Sequence, residues 1–193
     1  MDTDRTPTSG PRKAEEIFAA TLKLLTEKGY DSLTIESVAA ESGVNKTTIY
    51  RWWPSKDALL AATIVASQPL AFAVPDTGSL RGDLLTLAHG IAGLLTADRT
   101  ASIIAAVFSA APRRPELGEV AQAFFTDRLA RERPIFQRAI ERGELPPSAD
   151  PQAIMDMLAG SIWFRVLLRG EAVTPEHLDH IVDTVLRGAG VDA

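Results

Sequence analysis

Residues 43–56 read GVNKTTIYRWWPSK: three basic residues, no acid and two adjacent tryptophans. The chain around them has 193 residues, a formal net charge of −5 and a pI near 5.2. Bulk charge therefore gives no attraction to a polyanion, and any nucleic-acid contact must come from a local patch. Outward from this stretch, Ala39 is small enough for two helices to cross closely. Gly43, four residues on, supplies the left-handed backbone that a tight interhelical turn needs. Val44 and Ile49 offer apolar contacts beyond the turn, with Val38 opposite them. This is the packing pattern of a helix-turn-helix. The second helix, near 45–53, then presents Asn45, Lys46, Thr47, Thr48, Tyr50 and Arg51 outwards, a polar and cationic face suited to a DNA major groove. Lys56, beside the free amides where the next helix starts, suits a phosphate, and Thr34 offers the same at the start of the preceding helix. The same spacing also arises in ordinary helical bundles, and three cations in fourteen residues can be a solvated face. Trp52 and Trp53 are expected to pack the third helix onto the first and fourth, with the alternative that one of them lies against a sugar-phosphate backbone.

Helical periodicity runs through the rest of the chain, with no alternating strand pattern and no hairpin dipeptide. Pro11 opens a first helix with Ile17, Phe18, Thr21, Leu22 and Leu25 on one face and Gly29 as its C-terminal cap. Thr34 caps the second helix and Ser55 the fourth. Pro69 to Gly78 reads as a loop. Longer helices are expected near 79–97, 100–111, 115–142, 150–169 and 174–188, with a kink or an early stop at Pro134. The domains read as a flexible arm over 1–10, a helix-turn-helix domain over 11–58 and a larger helical domain over 59–193. Hydrophobic residues make up 46% of the chain, ample for a packed core, and cysteine is absent. No signal peptide and no bilayer-length apolar run is visible, which points to a soluble cytoplasmic protein without a membrane partner.

The run from Phe18 to Leu60, FAATLKLLTEKGYDSLTIESVAAESGVNKTTIYRWWPSKDALL, closely resembles the DNA-binding domain of the tetracycline-repressor (TetR) family of bacterial regulators. The elements arrive in order: an aliphatic helix, Gly29-Tyr30, a threonine-capped helix, Gly43-Val44, Thr48-Ile49-Tyr50 and Pro54-Ser55-Lys56. The resemblance implies that Thr34, Thr48, Tyr50 and Lys56 hold the DNA backbone. It implies that Asn45, Lys46 and Thr47 face bases, with Arg51 able to do either. Trp52-Trp53 stands where relatives often have histidine-phenylalanine, and Glu36 where some place a base-reading cation, so neither contact is carried over. The resemblance further implies an all-α protein whose larger C-terminal part binds a small molecule and dimerises.

In that part, Leu178, Ile181, Val182 and Val185 form a stripe expected to join a homodimer, together with Ile154, Met157, Leu158, Ile162 and Val166 on the preceding helix, although part of the stripe must pack on its own subunit and all of it could. Ala159, Gly160 and Ser161 would allow close approach. Phe108, Phe124, Phe125, Met155, Trp163 and Phe164 are the candidates for a ligand pocket, with His89 and Asp156 as polar anchors, suiting a largely apolar or aromatic effector. Each is also an ordinary core residue. His177 and His180 lack a third nearby ligand, so no metal is expected, and nothing calls for a cofactor. The function read from the sequence is a ligand-responsive regulator, a repressor released from palindromic operator DNA by a small molecule, although activators share the architecture. Three histidines, no Gly-x-Ser-x-Gly elbow and no phosphate-cradling loop argue against an enzyme. A protein-binding helical adaptor is the remaining rival.

Overall fold

The computed structural model describes residues 13–67 and 73–190. Among them every regular element is helical: α1 (Ala14–Ser32), α2 (Ile35–Ser42), α3 (Lys46–Trp52), α4 (Lys56–Ser67), α5 (Leu80–Thr96), α6 (Asp98–Ala110), α7 (Pro115–Glu141), α8 (Pro151–Trp163) and α9 (Pro175–Gly188). A single 3-10 turn, Ala111–Arg113, precedes α7, and a π-helical turn, Phe164–Leu168, follows α8. Pro11, expected to open the first helix, lies outside the described residues, as do Pro69 and the arm over 1–10. No single described helix is long and apolar enough to cross a membrane.

The chain divides into two compact units. One comprises the residues up to 68 together with 106–120, the other 69–105 and the residues from 121 onward. In the first unit, α2 packs on both α1 and α3, and α4 packs on α1. Its core is Ile17, Leu25, Val38, Ile49, Leu59 and Leu60, each at most 1% exposed. Thr34 starts α2 with a reciprocal cap: its hydroxyl accepts from Ser37 N at 3.1 Å, and its own N–H donates to Ser37 Oγ at 3.2 Å. Gly29 does not end α1 outright. It breaks the helix with φ 73° and ψ 173°, and a further turn runs to Ser32. Gly43 closes α2 in the left-handed region, φ 67° and ψ 19°, which turns the chain into α3.

In the second unit α5, α8 and α9 pack on one another. The loop ahead of α5 is pinned by charge. Thr77 donates from its N–H and its hydroxyl to the buried Asp83 carboxylate at 2.7 and 2.8 Å, and Arg138 donates to Pro75 O at 2.8 Å. Glu144 accepts from Leu80 N at the start of α5, where an anion complements the helix dipole. The expected kink or stop at Pro134 does not terminate α7, which runs on to Glu141. Proline removes one helical N–H, but Pro134 and Ala130, whose carbonyl loses that bond, are both exposed, so water can satisfy the carbonyl.

A second expectation needs correcting. The α9 stripe of Leu178, Ile181, Val182 and Val185, favoured as a dimer surface, packs on its own subunit instead: these residues are 0–8% exposed within the single chain. An amphipathic helix on the outside of a bundle turns its apolar stripe to its own core first. The large apolar side chains left uncovered in this region are Met157 on α8 and Phe164, Leu167 and Leu168 in the π-helical turn.

Candidate nucleic-acid interface and cavity

The seven residues of α3 are set by the turn that precedes them and by one anchor. Ile49 is fully buried and fixes the helix roll. Thr47 and Arg51 then point away from it, Tyr50 lies to one flank and Lys46 stands at the open first turn, and all four are exposed. Thr48 is half-buried. Asn45 is the N-cap: its side-chain oxygen accepts from Thr47 N at 3.0 Å and from Thr47 Oγ1 at 2.9 Å. Asn45 is exposed and the cap uses only its oxygen, so it does not consume the amide donors that a base edge would use. Tyr50 Oη donates to Glu36 Oε1 on α2 at 3.4 Å, a long and weak contact. The two tryptophans divide. Trp53 is 8% exposed, with its ring 5.4 Å from that of Phe18, and is the packing residue, whereas Trp52 is 44% exposed and does not pack as the first expectation had it.

Lys56 stands apart from the α3 face. Its ammonium donates to Tyr30 O at 3.0 Å and lies 4.1 Å from the Tyr30 ring centroid, a cation–π arrangement. One of its three N–H groups is thereby committed and the side chain is held in place. Beside it, Tyr30 Oη donates to the buried Asp57, and Arg114 approaches the same carboxylate at 3.6 Å. Burial, followed by the hydrogen bond and negative charge of Asp57, pushes the Tyr30 phenol up to about 12.

The second unit holds a cavity of about 650 Å³ that is partly open to solvent, where Phe125 is 46% exposed. Phe124, Phe125, Met155 and Trp163 line it, as does Asp156. The rings form a chain, with centroids 5.4 Å apart for Phe124 and Phe125 and 5.9 Å for Phe125 and Trp163. Phe164 does not line the cavity. One residue beyond Trp163, it turns roughly 100° around the helix and is 54% exposed. Phe108 belongs to the first unit, where it is half-buried, and His89 is exposed and outside the wall. Sequence reasoning missed Arg128 and Glu132, which put an ion pair into the cavity wall. No group of acidic, histidine or cysteine side chains among the described residues could hold a metal ion.

A helix-turn-helix unit joined to a helical unit with an apolar cavity has clear relatives. Residues 17–63 match the family model described as bacterial regulatory proteins, tetR family. Residues 74–185 match that of the tetracyclin repressor-like C-terminal domain. The chain belongs to the TetR family. It is similar to an uncharacterized HTH-type transcriptional regulator of Mycobacterium tuberculosis, 38% identical over 95% of this chain and 90% of the relative. It is also similar to the HTH-type regulator YdeS of Bacillus subtilis, 31% identical over 93% and 89%. Among solved structures it is similar to the TetR family transcription regulator SCO0332, with 33% identity, 92% and 98% coverage and a TM-score of 0.72. TetR-family proteins are DNA-binding, ligand-responsive transcriptional regulators rather than enzymes, and generally bind operator DNA and ligands as dimers. This chain is such a regulator.

Proposed function

We propose that this TetR-family protein is a repressor that holds a palindromic operator as a homodimer and lets go when a small, largely apolar molecule fills the cavity of its second unit. The observation that carries the reading is the exposed, carboxylate-free side of α3, with Lys46, Thr47, Tyr50 and Arg51 presented by the buried Ile49. In this reading Asn45, Lys46 and Thr47 meet base edges. Thr34, Thr48, Tyr50 and Lys56 meet phosphates, and Arg51 serves either. The grip of Tyr30 on Lys56 favours a phosphate role, because a fixed point charge positions the protein without reading sequence.

A dimer must present its two α3 helices about 34 Å apart, one turn of DNA. The uncovered Met157, Phe164 and Leu168 are the apolar surface that a second copy would cover. Release follows if the ligand binds better to a form whose reading helices are wrongly spaced; operator affinity then falls by that difference in ligand affinity. Ile104 and Phe124, both in the cavity wall, flank in sequence the 106–120 segment that clusters with the DNA-reading unit, so the wall and that segment share backbone.

Selecting bound duplexes from a random pool tests the whole. The expected product is a palindrome whose enrichment falls steeply with salt, since each neutralised phosphate adds about 0.9 to the log–log salt slope. Lys46→Ala should change the selected sequence, while Lys56→Ala should weaken binding to all sequences alike. Recovery of no preferred sequence, or of the same sequence at the same affinity from both variants, would overturn the assignment of α3.

A further inference from the structure

The cavity wall is mainly aliphatic and aromatic, yet it contains two buried opposite charges. Arg128 and Glu132 lie four residues apart on α7, 8% and 3% exposed, and Arg128 Nη2 donates to Glu132 Oε1. Helix energetics do not account for the pair. The base precedes the acid, the less favourable order along a helix, and desolvating two charges costs about as much as their attraction returns. Apolar residues at both positions would serve stability as well. A guanidinium has five donors and a carboxylate about four acceptor sites, and here both groups border the same open volume.

Charge then restricts what can enter. The pair is neutral as a unit. A ligand carboxylate brought to Arg128 would lie beside Glu132 and bury a second anion. Asp156, exposed but also in the wall, adds further negative charge. An ammonium brought to Glu132 would lie beside Arg128. A neutral group with an acceptor and a donor side by side meets both residues and buries no net charge. The ring chain of Phe124, Phe125 and Trp163 supplies flat apolar surface next to them. Burial pushes the Glu132 carboxyl above the ordinary carboxylate value, with Arg128 opposing the shift, so a donor offered to the ionised form would be well used.

We propose that the cavity selects a neutral aromatic molecule carrying an adjacent hydrogen-bond acceptor and donor, the acceptor held by Arg128 and the donor by Glu132. This rests on the reading of the cavity as the effector site and adds the chemical class of the effector.

Four probes of one shape separate the terms: naphthalene, 2-naphthamide, 2-naphthoate and 2-naphthylmethylammonium, titrated into the full-length protein at pH 7 with ligand-observed NMR. The amide should bind about tenfold tighter than naphthalene, the gain expected of hydrogen bonds to charged groups, and tighter than either ion. Glu132→Gln should raise the affinity of the naphthoate above that of the amide. Arg128→Met should make the ammonium the preferred probe. Replacing both with methionine should collapse the four affinities to one value, with thermal unfolding as the check that the fold persists. If a variant does not fold, the wild-type ranking decides alone. Equal binding of naphthalene and the amide, or tightest binding of an ion, would sink the selectivity proposal and leave the cavity a ligand site. Failure of all four to bind would remove the cavity as a ligand site, and the effector part of the proposed function with it.

Discussion

Replacing Gly43 with alanine isolates the backbone cost of the turn that aims α3. Gly43 sits at φ 67° and ψ 19°, and a Cβ built there meets nothing within 4 Å. Steric overlap with neighbours therefore contributes nothing, and two terms remain. A non-glycine residue in the left-handed region costs about 1–2 kcal/mol. Alanine also restricts the unfolded chain, which returns about 0.4–1 kcal/mol. The net loss is about 1 kcal/mol, or roughly 2–4 °C in Tm for a chain of this size. Asparagine, which tolerates the left-handed region better, should lose about half as much. Gly93 supplies the control, since it is exposed, lies within α5, and likewise leaves a Cβ with no neighbour within 4 Å. There the same substitution should stabilise by about 0.5–1 kcal/mol. Urea unfolding of the three variants followed by circular dichroism measures all of this, and operator affinity below the transition should be little changed. Gly43→Ala as stable as wild type, or Gly43→Asn less stable than Gly43→Ala, would refute the claim that left-handed backbone is what the turn requires.

Tyr30 gives a pH signature. Its folded value near 12 lies above the unfolded value of about 10, so its contribution is fully present below pH 10 and is lost as pH rises through 12. The stability difference between wild type and Tyr30→Phe, from denaturant melts, should therefore be constant up to pH 9 and shrink above 10; a constant gap to pH 12 would contradict the Tyr30–Asp57 pairing. Arg81 bridges Asp179 and Asp183 on α9 at 2.7 and 2.8 Å, but all three side chains are 40–46% exposed. Arg81→Ala should therefore cost under about 1 kcal/mol, and a larger loss by thermal melting would mean that the bridge organises α5 against α9. Met157→Asp with Leu168→Asp should turn a dimer into a folded monomer in sedimentation equilibrium; an unchanged dimer mass would place the interface elsewhere.

Helix identity and order could be read from the chain because each local signal agrees with its neighbours. Thr34, Asn45 and Ser55 each accept a backbone N–H where a helix begins, and Gly43 has the positive φ that the turn spacing asked for. The face of α3 was legible for the same reason: one buried β-branched residue, Ile49, in a seven-residue helix determines which side is left outside. The tryptophans were harder, since an aromatic pair gives no phase of its own. Trp53, the C-cap with extended backbone, swings onto Phe18, while Trp52 follows the helix and stays exposed.

The cavity was only half legible, and the reason is physical. Large apolar residues announce an interior or a cavity wall, so Phe124, Phe125, Met155 and Trp163 could be named in advance. Phe108 and Phe164 have the same composition signal, but α6 carries Phe108 into the other unit and the π-helical turn leaves Phe164 outside. Arg128 and Glu132 carry the opposite signal. Spaced four apart on a long helix, they look like Asp127 and Arg131, also four apart and joined at 2.6 Å, which are about half exposed. The two pairs are offset by a single residue, about 100° around α7. One helix thus carries a solvated ion pair and a cavity-facing ion pair side by side, and the roll of α7 decides which is which. Ile135, Phe136 and Ala139 set that roll, each at most 1% exposed. The chemistry of the wall is therefore fixed by apolar residues beyond the charged pair, and a substitution such as Phe136→Ala should alter probe selectivity in the cavity as well as stability.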